Sequence, residues 1–252
     1  MIDETLAHND SHIHRLDPCA RVVLAVILSF SAALSENFII LALYFLLSVV
    51  LVFMASIDFV NVMKRVKPLF WFIVMIWIIL PLTFEGEVFS KIGPFVFTKP
   101  GIALCAKISI KSVTILLIFT SLLATMTVAS LGNGLHRLYL PDKTVFLLLM
   151  TYRYIFVIEC EYNRLLRAVS LRGFNSGTNL HSYKTYAYLA GMLFVRASCR
   201  AKRVHQAMVC RGFNGRFHTL DTFADSHIIN FIFMAGVSAI TSLLVVTELF
   251  WI

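Results

Sequence analysis

Apolar residues run through the chain in long blocks separated by short polar breaks. Five blocks reach or approach the roughly 20 residues that a helix needs to cross a bilayer: 20–34, 38–57, 68–84, 101–131 and 227–250. The first two are separated only by "SEN", a turn tight enough to make them antiparallel neighbours. Lys64, Arg65 and Lys67 follow the second block, and the "SEN" turn carries no cation. By the positive-inside rule this places the N-terminus and the second connection in the cytoplasm. The third block then leads out. The stretch "EGEVFSKIGPFVFTKPG" (85–101) reads as an outer loop with an extended turn, and the fourth block returns.

Beyond residue 131 the pattern changes. "LGNGLHRLYLPDK" (131–143) interrupts it with two glycines and a proline, and Asp142 is expected to cap the helix that follows. Two long helices are then predicted, one from "TVFLLLMTYRYIF" to "RAVSLRGFN" and one from "HSYKTYAYL" to "AMVCRGFN", each apolar at its start and basic at its end. The apolar parts, 144–158 and 186–195, could be partly embedded in the bilayer. The last block runs outward, so the two termini lie on opposite sides. The expected fold is all-α, a polytopic membrane protein with about five transmembrane helices and a cytoplasmic pair of long helices. Its parts are a membrane-embedded region (1–157, four spans plus the start of the first long helix), a cytoplasmic region (158–225) and a C-terminal transmembrane helix (226–252).

Composition agrees with an embedded chain. Of 252 residues, 59% are hydrophobic and 14% charged, against about a quarter charged in soluble domains, and the mean hydropathy is +0.81. The net charge is +8, and ten of the 22 lysines and arginines fall between Arg164 and Arg216. That density places the stretch outside the hydrocarbon. The five cysteines are scattered without a C-x-x-C pair, which indicates neither a disulfide framework nor a zinc site. The N-terminal 20 residues are polar, unlike a signal peptide.

The second half also repeats itself. "AVSLRGFN" (168–175) and "AMVCRGFN" (207–214) lie 39 residues apart, and the match extends upstream to a common R-x3-A-x3-R-G-F-N. Spacings of four put Arg164, Ala168 and Arg172 on one helix face, and Arg203, Ala207 and Arg211 on another. Gly173 and Gly212 are the expected left-handed residues that close the helices, with the following phenylalanine in the accompanying apolar contact. Helix capping alone would explain one copy. Two copies in the same frame fit a pair of like docking ends for two like partners better, since one pair of matching helices is too few for a solenoid.

Other chemistry is sparse. There is no phosphate-binding glycine motif, so the chain is not expected to bind ATP itself. His8, His12 and His14 form a histidine-rich tract, read as solvated and not as a metal site. Lys107 and Lys111 are unusual embedded charges, which either snorkel to the boundary, pair with Glu85 and Glu87, or serve a function. No paired carboxylates lie deep in a span, as a proton-coupled transporter would require. The basic region could also attract anionic lipid; no nucleic-acid module is recognisable.

The segments "IHRLDPCAR", "TYRYIFVIECEYNRLLRAVSLRGFN" and "RASCRAKRVHQAMVCRGFNGRF" resemble the transmembrane T component of energy-coupling factor transporters, of the cobalt or nickel type called CbiQ. The family's Ala-Arg-Gly signature falls on Leu171, Arg172, Gly173 and on Cys210, Arg211, Gly212, with a departure at the first position in both copies. Cys199 and Lys202 stand where the family is expected to carry acids. The resemblance implies a non-catalytic coupling subunit of an ATP-driven importer for cobalt or nickel in the bacterial inner membrane. Its two long helices would dock on two cytoplasmic ABC-type ATPase subunits, through Arg164, Ala168, Leu171, Arg172 and Gly173 on one side and Arg203, Ala207, Cys210, Arg211 and Gly212 on the other. It further implies a substrate-binding S component of the CbiM type, an optional accessory subunit of the CbiN type, no catalytic residues, and no cofactor or metal of its own. A self-sufficient secondary transporter driven by an ion gradient is the alternative, which uptake by the purified chain without ATP would reveal.

Overall fold

The computed structural model describes residues 16–83, 88–92, 95–138, 140–215 and 227–251. The histidine-rich tract and Glu85 and Glu87 lie outside these residues. Eight helices are found among the described residues: α1 (Pro18–Leu34), α2 (Phe38–Met54), α3 (Phe59–Thr83), α4 (Lys99–Leu122), α5 (Val128–Arg137), α6 (Asp142–Ser170), α7 (Leu180–Cys210) and α8 (His227–Trp251). Between α3 and α4 the expected extended turn is an antiparallel hairpin of β1 (Val88–Ile92) and β2 (Phe95–Thr98), with Lys91 opposite Val96 and Ile92 opposite Phe95. Contacts divide the chain into two compact units, 136–220 and the remainder.

In the larger unit α4 is central, packed against α1, α2 and α3, while α8 packs on α1. The packing places small residues inside. Ala25 and Ala32 on α1, Ser48 on α2 and Ala55 at its C-cap, and Thr114 and Ser121 on α4 are all at 0% exposure, each pair seven residues apart. Small residues let helix backbones approach closely, and the hydroxyls remove their own polarity by donating to carbonyls three or four residues back, as Thr114 does to Ile110 and Ser121 to Ile118. Large apolar side chains lie on both sides: Leu24, Leu28, Leu41, Tyr44, Ile118 and Leu122 are at most 1% exposed in the core, while Ile39, Leu46 and Phe53, again seven apart, are 71%, 62% and 80% exposed. Close helix packing on small residues, together with large apolar side chains displayed on the outer faces, suits a bilayer, because lipid offers no penalty for exposed leucine or phenylalanine.

By length and hydropathy, residues 100–122 of α4 are the one stretch among the described residues sufficient to cross a membrane. α1, α2 and residues 233–248 of α8 are apolar but shorter. The fourth apolar block is not one helix. α4 stops at Leu122, where Thr125 Oγ1 turns back to the Ser121 carbonyl, and α5 starts where Thr127 Oγ1 accepts the Ser130 N–H. The two glycines expected to break the chain lie inside α5 and are buried. A Cβ on Gly134 would stand 2.9 Å from the Pro18 carbonyl carbon, so this glycine serves the close approach of α5 to the start of α1. α3 likewise begins earlier than the apolar block, at Phe59, and carries Lys64, Arg65 and Lys67 in its first turns.

The embedded lysines are both satisfied within the unit. Lys111 Nζ donates to the Ala33 carbonyl at 2.8 Å, and Lys107 Nζ lies 5.2 Å from the centre of the Phe38 ring. Both therefore face the α1–α2 turn, where a cation suits the negative end of α1 and the face of an aromatic ring. The same turn is held by α8, since the Glu36 N–H donates to Glu248 Oε1.

Candidate functional site

The smaller unit is built on α6 and α7. The α6 N-cap is Pro141, and Asp142 is the first helical residue, so the expected Asp142 cap moves by one position; its carboxylate is paired instead with His136 at 2.7 Å. Contacts along the pair run in opposite order. Phe174, just past the end of α6, packs on His181 and Tyr186 at the start of α7. Glu161 meets Arg196 and Arg200 near the middle, and Phe213, past the end of α7, lies 5.1 Å from Phe146 at the start of α6. The helices are antiparallel, and their two C-terminal ends point away from each other, on the order of 40 Å apart at 1.5 Å per residue.

Both ends close in the same way. Gly173 and Gly212 have φ of +82° and +77°. The Gly173 N–H donates to the Ser170 carbonyl and the Phe174 N–H to the Val169 carbonyl; Gly212 and Phe213 repeat this with Val209 and Met208. These are the two bonds of a Schellman cap, with glycine in the left-handed position. The phenylalanine of each cap serves more than its own helix. Each ring reaches the partner helix, so the last turn that carries the arginine is pinned to the body of the hairpin.

All ten residues expected to dock are exposed: Arg164, Ala168, Leu171, Arg172 and Gly173 at the end of α6, and Arg203, Ala207, Cys210, Arg211 and Gly212 at the end of α7. Leu171 is 89% exposed. Among the described residues, Arg172 and Arg211 have no acid within 4 Å. Each is a guanidinium presented on a pinned helix end, with no acidic partner among the described residues. The two copies differ upstream, because Arg164 Nη1 donates to Glu161 Oε2 at 3.2 Å while Arg203 has no such partner among the described residues.

Glu161 is the residue that sequence reasoning missed. Its side chain is 11% exposed and faces Arg164 of its own helix and Arg196 and Arg200 of α7, the last at 4.0 Å. The hydrogen bond from Arg196, with the surrounding guanidiniums, holds its carboxyl below the usual value. A signal was present: residues 143–220 contain two acids, Glu159 and Glu161, against twelve lysines and arginines. An acid so outnumbered is a natural centre for charge pairing. From this centre toward the start of α6 the helices part around an apolar cavity of about 320 Å³, walled by Leu147, Tyr154, Ile158 and Leu193. Among the described residues no group of histidine, cysteine, aspartate or glutamate could hold a metal ion, and no two of the five cysteines form a disulfide.

A family model described as CbiQ, cobalt transport protein, matches residues 9–220. The chain is 28% identical over 216 residues to the energy-coupling factor transporter transmembrane protein EcfT of Bacillus subtilis, covering 81% of this chain and 82% of that protein. It is also 28% identical to EcfT of Listeria innocua over 218 residues, 82% of each chain. With EcfT of Brevibacillus brevis the identity is 24% over 253 residues, 96% of this chain and 94% of the relative.

Proposed function

Because the chain belongs to the CbiQ family of cobalt transport proteins, the T components of energy-coupling factor transporters, we propose that it couples ATP hydrolysis on two partner subunits to import of cobalt or nickel. It is a non-catalytic subunit, and ATP is bound by cytoplasmic ABC-type ATPases. The observation that carries this reading is the duplicated end: two exposed arginines, without an acidic partner among the described residues, on identically capped helix termini facing opposite ways along one hairpin. One partner cannot easily engage both ends, and two copies of one partner can. Arg172 and Arg211 make the ion-paired contacts, Gly173 and Gly212 end the helices, and Ala168 and Ala207 keep the adjacent ridge low enough for close approach. Arg164 and Arg203 flank it, and Leu171 and Cys210 adjust the fit.

When the ATPases close on ATP, they displace both ends together, and Glu161 keeps α6 and α7 moving as one body. The motion passes to a separate S component of the CbiM type, with an accessory CbiN-type subunit where one is present, which carries the ion. In this reading α1, α2, α3, α4 and α8 are the five spans of an inner-membrane protein, and the N-terminus and the coupling helices lie in the cytoplasm. The apolar first half of α7, where Tyr188 and Phe194 are 76% and 75% exposed, provides surface for the S component. Replacing Arg172→Glu and Arg211→Glu together should abolish co-purification of the ATPases or uncouple hydrolysis from uptake. Unchanged metal uptake by that double variant sinks the proposal.

A further inference from the structure

The first turns of α3 and the junction of α4 with α5 line a broad, open groove of about 710 Å³. Its walls are apolar, with Leu116, Phe119, Leu123 and Met126 among them. The hydroxyls nearby are already committed: Thr120 Oγ1 donates to the Leu117 carbonyl, and Thr127 Oγ1 is paired with Ser130 Oγ at 2.7 Å. Among the described residues charge enters only from α3, where Lys64 and Arg65 stand at the groove. Both are exposed, and among the described residues neither has an acid within 4 Å. Pro68, one turn further along the same wall, has no N–H to give the Lys64 carbonyl, which leaves this end of the groove polar.

An apolar groove that ends in two cations with no acidic partner among the described residues, on a unit whose outer faces carry exposed large apolar residues, is complementary to an amphiphile with an anionic head. A soluble anion would satisfy the cations and leave the walls empty. A zwitterionic lipid would fill the walls and bring no net charge. We propose that this groove binds an anionic phospholipid, its phosphate between Lys64 and Arg65 and an acyl chain along Leu116, Phe119 and Leu123. Basic pockets between membrane helices on the cytoplasmic side bind lipid head groups in this manner. The assignment to the cytoplasmic leaflet rests on the orientation proposed above; the pairing of charge and groove does not.

The test uses the full chain in nanodiscs of phosphatidylglycerol or phosphatidylcholine, transferred to mild detergent and weighed by native mass spectrometry. The unaltered protein should retain phosphatidylglycerol in preference. With about 1 kcal/mol for each of two cations near anionic lipid and 1.4 kcal/mol per tenfold, the Lys64→Gln, Arg65→Gln double variant should retain about 30-fold less. Leu123→Trp sets a bulky ring across the path of the acyl chain, keeps both charges, and should also lose the lipid. Equal retention of the two lipids by the unaltered protein overturns the proposal, as does undiminished phosphatidylglycerol in both variants. So does a photo-crosslinking residue at Phe119 that captures a partner protein and no lipid. The Lys64, Arg65 variant should still co-purify with the ATPases, whereas the Arg172, Arg211 variant should lose the ATPases and keep the lipid, so the two readings fail separately.

Discussion

Replacing Gly173 with alanine isolates the backbone contribution to the coupling end. A Cβ there would meet nothing within 4 Å, so crowding adds no cost, and what remains is the strain of an L-residue at φ +82°, about 1–2 kcal/mol. The chain could escape that strain only by opening the cap. Opening gives up the bonds from Gly173 to Ser170 and from Phe174 to Val169, about 1 kcal/mol each, and exposes Phe174, now 9% exposed, at about 1.5–3 kcal/mol. The sum exceeds the strain, so the alanine variant keeps its cap and carries the strain in both free and docked states. Stability of the hairpin should therefore fall by about 1–2 kcal/mol while affinity for the ATPase changes by less than about 5-fold, which is 1 kcal/mol. Asparagine, which tolerates the left-handed region, should recover most of the stability. The same holds for Gly212→Ala, also with nothing within 4 Å. Denaturant melts of the detergent-solubilised chain and titration with the purified ATPase measure the two quantities. A variant with unaltered stability and binding weakened 100-fold would refute the reasoning, because the glycine would then serve close approach by the partner.

Three further substitutions probe the supports. Glu161→Gln should raise hydrogen exchange around 158–161 and 196–200 while leaving both caps protected. Because the guanidiniums hold the Glu161 carboxyl below its ordinary 4.5, its contribution in the unmodified protein is fully present above that pH and is lost as the pH falls through the lowered value, so the difference in stability between the unmodified protein and Glu161→Gln should be constant between pH 5 and 8. Lys111→Met removes the charged donor from the Ala33 carbonyl and should lower the thermal midpoint by the equivalent of about 1 kcal/mol. Gly134→Val drives a Cβ to 2.9 Å from the Pro18 backbone and should cost about 1–3 kcal/mol, read as a lower midpoint, where Gly236→Val, with open space around it, should cost less.

The coupling ends were legible because a cap is local. Arginine, glycine and phenylalanine in succession, at the end of a helical run, specify the bonds from residue 174 to 169 and from 213 to 208 within six residues of chain. Glu161 was not legible in the same way, since its partners Arg196 and Arg200 lie 35 and 39 residues away on another helix. Nor was the use of Lys111, whose acceptor is 78 residues distant. The glycines of 131–143 misled for a related reason. Taken locally, two glycines in four residues signal a break; the helix that they occupy is stabilised by packing that a side chain at Gly134 would prevent.

From the sequence alone follow the all-α membrane character, the family, and the presence of two identical helix ends with an arginine and a glycine at each. Composition, hydrophobic run length and cap chemistry are properties of neighbouring residues, and the chain displays them without folding. Only the tertiary structure decided that the two ends face opposite ways, that one glutamate fastens the helices between them, and that two lysines within the apolar unit close on the α1–α2 turn. Those facts depend on which helices meet and in what sense, and that is settled by packing between residues far apart in the chain.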